Sequence, residues 1–286
     1  MNPKSLLVLL TGILFFISCS KEESFEKKKA DTDDKGPLLV KVTMEPVGAS
    51  YIFVATLAYD NNKKLINIKN ELEGEVDEPY IEEESAYYRN ASGMIERMVG
   101  VMNVYDENGV LQERDSVVLN LHFTAGKQYT YGLRTVLFSS SSPVTDSIAY
   151  SYNDKGRIVL VNVFRKDAYG SGYEREQTTG YSYDEKGNIS TMTISFADNG
   201  QDPPQVIGFQ YNDRLSPMNF GDEALLNGFA LEGLNSPHCL TGIHDLSEPD
   251  DSWQMYYEYN DFNKPAKGVY SNTVTQEKIN LTYFYQ

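Results

Sequence analysis

Few side chains in this sequence are spaced for chemistry. His238-Cys239 and His244 offer metal donors, but a closed zinc site wants three or four ligands in register. No second cluster accompanies them, so core packing or surface is their expected place, and no metal or other cofactor is expected. Asp31-Thr32-Asp33-Asp34-Lys35-Gly36 has the outline of a calcium loop, yet Lys35 occupies a ligand position and Val42 stands where the bidentate Glu belongs. Glu82-Glu83-Glu84 ends an acidic run from Glu71 to Ser85; carboxylates so placed can take calcium, and a solvated loop is the simpler reading. Gly170-Ser171-Gly172 lacks the strand, elbow and helix of a nucleophile motif. Paired acids could serve a hydrolase, but none stands in a catalytic pattern, and an enzyme is not expected. What remains is Tyr, 21 residues of it, interleaved with Asn and Asp. Such rings stack on sugar faces while the amides bond hydroxyls; the plainer role is packing.

The tyrosines fall into a pattern. Tyr152-Asn153-Asp154-Lys155-Gly156-Arg157-Ile158 is echoed by Tyr183-Asp184-Glu185-Lys186-Gly187-Asn188-Ile189. Asn or Asp after the Tyr opens a turn by bonding its own backbone. Gly three residues later supplies a positive φ, and Ile resumes a strand. Tyr105-Asp106 with Gly109 is a third copy, and Tyr59-Asp60 a fourth without Gly, so that Asn62 or Lys63 must take the turn. Tyr211-Asn212 and Tyr259-Asn260 run into Pro217 and Pro265, which should leave the sheet or sit at its edge. Arg89-Asn90-Ala91-Ser92-Gly93 lacks the Tyr. A recurrence of roughly thirty residues makes each unit one hairpin.

The elements that must carry these turns are strands. Val117, Leu119, Leu121 and Phe123 alternate with Val118, Asn120, His122 and Thr124, and Met192, Ile194 and Phe196 alternate with Thr191, Thr193 and Ser195. Period-two patterning of this kind buries one face. Further strands are expected from Leu38 to Met44, Tyr51 to Tyr59, Leu65 to Leu72, Met94 to Tyr105, Thr130 to Phe138 and Trp253 to Tyr259, and in the closing stretches through Tyr285, most of them six to nine residues long. One short helix is expected from Glu223 to Leu231, with Asp222 as its cap. The fold class is therefore all-β: an antiparallel meander of repeated hairpins forming a strongly curved or barrel-like sheet.

Residues 1–18 give an address. Lys4 precedes an apolar run from Leu6 to Ile17, too short to span a bilayer comfortably and suited to a signal segment. Phe16-Ile17-Ser18-Cys19 resembles a bacterial lipobox, where cleavage before Cys19 is followed by its acylation. The charged stretch through residue 37 reads as a disordered tether and 38–286 as the folded domain. Acylation leaves Cys239 without a partner for a disulfide, and a buried thiol is expected there. The formal net charge of −16 repels phosphate backbones and excludes nucleic acid as a partner.

Taken together, the Tyr-Asp-x-x-Gly-x-Ile copies resemble the YD (RHS-type) repeat. With the Pro-ended copies, Leu234-Asn235-Ser236-Pro237 and the lipobox, the chain resembles a Bacteroidota lipoprotein family of unknown function with a porin-like β fold. Ser20-Lys21-Glu22-Glu23-Ser24 resembles that lineage's surface-export tag. Asp115-Ser116-Val117 and Asp146-Ser147-Ile148 resemble its O-glycosylation sites, at Ser116 and Ser147. The resemblance implies a palmitate anchor in the outer membrane, surface-exposed or on the periplasmic face. It transfers no catalytic residue. Short strands and a redundant anchor argue for a barrel outside the bilayer. A binding module, for glycan in the first instance, is the leading expectation; an envelope structural or protein-interaction role is the alternative.

Overall fold

The computed structural model describes residues 37–74, 79–139, 141–166, 172–197, 203–226, 236–247 and 252–286. The signal segment, Cys19 and the tether lie outside these residues, as do the Gly170-Ser171 pair and most of the expected helix. Sixteen strands follow in order: β1 (Leu39–Pro46), β2 (Tyr51–Tyr59), β3 (Leu65–Gly74), β4 (Tyr80–Arg89), β5 (Ile95–Tyr105), β6 (Leu111–Phe123), β7 (Tyr129–Leu137), β8 (Val144–Tyr152), β9 (Ile158–Lys166), β10 (Tyr173–Tyr183), β11 (Ile189–Phe196), β12 (Gln205–Leu215), β13 (His238–Asp245), β14 (Ser252–Tyr259), β15 (Pro265–Asn272) and β16 (Lys278–Tyr285). Each pairs antiparallel with its neighbours in sequence, and β1 pairs with β16, closing a barrel. The all-β meander expected from the sequence is thus a closed barrel with no free edge. Its strands run from 8 to 13 residues, longer than the sequence pattern suggested. Strand length therefore does not separate this barrel from one that spans a membrane.

Six connections at one end share one conformation. At Asp60, Asn90, Asn153, Asp184 and Asn260 the side-chain oxygen accepts the backbone N–H groups two and four residues on. At Thr124 the hydroxyl accepts only from Gln128 N–H, at 3.3 Å. The fourth residue of each turn is left-handed: Gly93, Gly156 and Gly187, but also Lys63, Lys127 and Asn263. The register slips by one residue at the strand end before each turn, as in a three-residue loop closed by a bulge. The turn after Tyr105 has the same form, with Gly109 at φ 73°, but caps the opposite end. Lys63 thus takes the turn as expected, and Thr124 and Asn90 are copies that the Tyr motif alone does not reveal. Because a left-handed Lys is strained by its Cβ, Lys63→Gly is expected to raise stability by about 1 kcal/mol, read as an upward shift of the urea midpoint. A lower midpoint would show that the Lys63 side chain matters more than its backbone.

The repeat Tyr has a mechanical use. Tyr59, Tyr152, Tyr183, Tyr211 and Tyr285 end, or nearly end, downward strands and point inward. Each hydroxyl donates to a carbonyl at the start of the preceding strand: Leu39, Tyr129, Ile158, Ile189 and Pro265, at 2.5–2.9 Å. In β4 Arg89 stands in the Tyr position, and its guanidinium reaches Leu65 O at 3.4 Å. Tyr105 behaves differently, stacking on Tyr80 with ring centroids 4.9 Å apart. The expectation that Pro265 marks an edge is overturned: it is the first residue of β15, where no ladder donor is needed, and it pairs with Tyr259. Pro217 does leave the sheet, opening the long connection between β12 and β13.

That connection plugs the barrel. Of the short helix expected from Glu223 to Leu231, the described part is a 3-10 helix, Gly221–Leu225. Asp222 is not its cap. It accepts from Ile158 N–H at 2.9 Å and Arg157 Nε at 2.8 Å, pinning the plug to the start of β9. Phe220, Ala224, Leu225 and Leu226 are buried in the same core cluster as the inward faces of the strands. Glu223 meets Arg89 through two bonds of 3.0 Å.

Candidate functional site

Three surfaces could act on another molecule: the lumen, the ends and the outer wall. The lumen is filled. Inward positions such as Val42, Phe53, Leu57, Ile68, Met98, Leu119, Ile148, Val161, Met192, Phe209, Tyr270 and Leu281 form one buried cluster, sealed at the turn end by the plug. Its polar groups sit nearer the other end. Asp146, wholly buried, is held by Arg134 and by Arg165, the latter at 3.3 Å. Asp115 accepts from Ser139 N–H at 2.9 Å. Glu83 has no such cation beside it among the described residues. It lies 4% exposed opposite Asn70, and burial pushes its carboxyl up to about 9 although the Asn70 amide pulls the other way. This corrects the loop reading of Glu82-Glu83-Glu84, which belongs to β4, with Glu83 inside.

The remaining donors are scattered. His238 bonds Asn188 at 3.0 Å at the turn end, and His244 points to the outer face near the other. Cys239 is buried, its S–H donating to Leu215 O at 3.3 Å, and burial raises its thiol to about 11, with Tyr259 and Lys264 easing the shift. Ser116 and Ser147 are half-buried in mid-strand and face outward, while the aspartates before them are inside. Any enzyme that reads Asp with Ser would meet the pair only before folding.

On β1, β3, β11 and β16 the outer wall is polar where the inner one is apolar, whereas β2, β5 and β9 turn Ile52, Val54, Val99, Val101 and Leu160 outward. Lys41, Thr43 and Glu45 face out on β1; Asn67, Lys69, Glu71 and Glu73 on β3; Thr191, Thr193 and Ser195 on β11; Lys278, Asn280 and Thr282 on β16. The assignment follows from alternation with the buried cross-strand pairs. Exposed rings interrupt this wall on β4–β7. Tyr88 is 51% exposed with Arg97 stacked over it at 5.8 Å, and Tyr131 is 41% exposed with His122 stacked on it at 4.3 Å. Asn120, paired with Arg97, lies between them. Three strand spacings put the two rings ~14 Å apart across the sheet. Of the repeat tyrosines expected to bind, Tyr59, Tyr152, Tyr183 and Tyr211 are latches, Tyr105 stacks on Tyr80, and Tyr259 accepts from the Asn212 amide at 2.7 Å; Tyr88, Tyr131 and Tyr256, exposed on the wall, are marked by no repeat. Alternation finds Tyr88, which shares its outward face with Glu82 and Glu84; it does not mark Tyr131, whose outward neighbours on β7 include Leu133 and Leu137.

No protein-family model matches the chain, and no curated protein matches it. Solved structures do. A porin-like protein from Bacteroides uniformis aligns over 87% of this chain and 98% of its own at 11% identity with a TM-score of 0.53. A porin-like protein from Bacteroides vulgatus aligns over 88% and 99% at 12% identity with a TM-score of 0.45. At such identity the likeness concerns architecture alone, and it places this closed antiparallel barrel beside the first of these porin-like proteins in fold.

Proposed function

We propose that the chain is a binding protein held to the outer membrane by lipid on Cys19, with its barrel standing in water. The observation that carries this reading is the polarity of the wall on β1, β3, β11 and β16. A membrane barrel turns an apolar band outward and a polar lumen inward; here charged and amide side chains of β1, β3 and β16 face out and the packed apolar cluster faces in. Burying charges such as Lys69 and Glu71 in hydrocarbon would cost several kcal/mol each, about 2–4 for a midplane Lys. A lumen packed with Leu, Ile and Tyr leaves no water path to conduct through.

The test uses the full chain in cells. Wild type is expected to take up labelled palmitate and pellet with membranes, and Cys19→Ala to lose the label and appear in the soluble fraction. In planar bilayers the purified chain is expected to add no conductance steps. A Cys19→Ala protein that stays integral, or discrete conductance from wild type, would overturn the reading.

Within it, the ligand best matched by the wall is a glycan lying across β4–β7, stacked on Tyr88 and Tyr131 and bonded by Asn120 and Arg97. Calorimetry against a panel of envelope and plant polysaccharides checks this. Tyr88→Ala with Tyr131→Ala should abolish the heat while leaving the melt unchanged, since both rings are exposed. An equal heat in the double variant rules this surface out.

A further inference from the structure

In a chain whose formal net charge is −16, one sector of the outer wall carries the opposite sign. Among the described residues, the outward ladder positions of β5–β10 hold Arg97, Arg114, Lys166 and Arg175 and no acid. The acids of these strands lie elsewhere. Glu113, Asp115, Asp146 and Glu174 fall on inward positions, and Glu96 and Glu176 are the extra residues of bulges. Two of the cations share one cross-strand row. From Tyr88 the register runs through Arg97, Asn120, Leu133 and Ser147 to Phe164, which pairs with Arg175. Arg97 stacks over Tyr88 at 5.8 Å, so a ring and an arginine stand together at each end, with an amide and a hydroxyl between. Arg97 and Arg175 are exposed and neither is paired with an acid among the described residues; the nearby Glu176 is bound to Arg165 at 2.6 Å.

We propose that this row takes an extended acidic polysaccharide, one whose sugars carry carboxylates, lying across the strands from Tyr88 to Arg175. The inference rests on the glycan reading above and names the class of glycan and the length of its footprint. Strands are ~4.8 Å apart, close to the advance of one pyranose in an extended chain, so successive sugars fall over successive strands. Six spacings from β4 to β10 span ~29 Å. Sugar faces stack on Tyr88 and on the half-buried Phe164, and Asn120 and Ser147 bond hydroxyls. Arg97 and Arg175 offer the planar fork that a carboxylate accepts with two bonds. They stand five spacings apart, ~24 Å, which suits a sparsely charged chain. A nucleic-acid strand presents a phosphate about every 3.4 Å, and an anionic bilayer is a continuous charged surface. Either would also meet the outward Glu71, Glu82 and Glu84 of the adjoining β3 and β4 and be repelled. A single polysaccharide chain confined to the row avoids them.

The experiment is calorimetry on the full chain carrying Cys19→Ala, using the uronate-bearing members of the polysaccharide panel, polygalacturonate and alginate among them, each beside its carboxyl-reduced neutral form. The acidic forms are expected to bind at least ~10-fold more tightly than the reduced ones, with an affinity that falls as salt rises. Arg97→Gln and Arg175→Gln should each weaken the acidic forms ~10-fold and leave the melt unchanged, since both side chains are exposed. Acidic and reduced forms bound alike, or an Arg175→Gln protein that matches wild type while Tyr88→Ala still lowers affinity, overturn this inference and leave the glycan reading standing. Silence from every polysaccharide, acidic and neutral, removes both. Heat from a single-stranded oligonucleotide or from anionic vesicles that the two arginine variants abolish overturns the inference in favour of phosphate.

Discussion

Replacing Glu223 by Ala is expected to unfold the plug end of the barrel at a cost of about 3–5 kcal/mol. The guanidinium of Arg89 sits 6% exposed against a Glu223 carboxylate that is 7% exposed, with two bonds of 3.0 Å between them. Removing the acid leaves a buried cation with the Leu65 and Gly93 carbonyls as its acceptors among the described residues. Tyr129 OH, 3.5 Å from the same carboxylate, also loses a neighbour while still receiving Ile95 N–H. The loss should be largely absent in the double variant Arg89→Met, Glu223→Leu, because burying two apolar groups removes the charge instead of stranding it. Urea melts of the two singles and the double form the cycle. Singles within about 1 kcal/mol of wild type would show that the plug contributes little to holding the turn end closed, and that the Tyr latches suffice.

Why the sequence made the strands legible and the plug obscure follows from the range of the interactions. The turns at Asn153 and Asp184 are written in five consecutive residues, so their type and their strand ends can be read locally. Lys63, Lys127 and Asn263 show the limit of that reading, since the sheet on either side enforces a left-handed residue even without Gly. Arg89 and Glu223 are 134 positions apart, and nothing near either announces the other. Asp222 looked like a helix cap because caps and buried anchors use the same side chain; its acceptors are satisfied by Ile158 N–H and Arg157, across the barrel end. Glu83 was masked by its own neighbours. Three acids in a row read as solvated, whereas alternation along β4 sends the middle one inward opposite Asn70. The exposed rings of Tyr88 and Tyr131 were hidden by the abundance of tyrosines that serve as latches.

That inward acid gives the barrel a pH dependence opposite to the usual one for carboxylates. Salt-bridged acids make a fold more stable as pH rises. Glu83 is the reverse case, because burial lifts its native proton affinity to about 9 from an ordinary 4.5. Below 4.5 both native and unfolded chains hold the proton, and the group is neutral to stability. Between 4.5 and 9 the unfolded chain releases it and the native barrel keeps it, so stability falls with rising pH across that window. By pH 7 the accumulated penalty is about 3 kcal/mol, at 1.36 kcal/mol per pH unit. Gln has the shape of the protonated acid, can still meet the Asn70 amide and does not ionise. Glu83→Gln is therefore expected to stabilise the barrel by about 3 kcal/mol at pH 7 and to leave it unchanged near pH 4. Thermal melts of both proteins from pH 4 to 9 decide it. Parallel curves would mean that water reaches the carboxylate inside the wall and that it ionises there like any exposed acid. Curves that converge at low pH and separate above 5 would place a neutral acid inside the barrel, held there by the closure of β3 on β4.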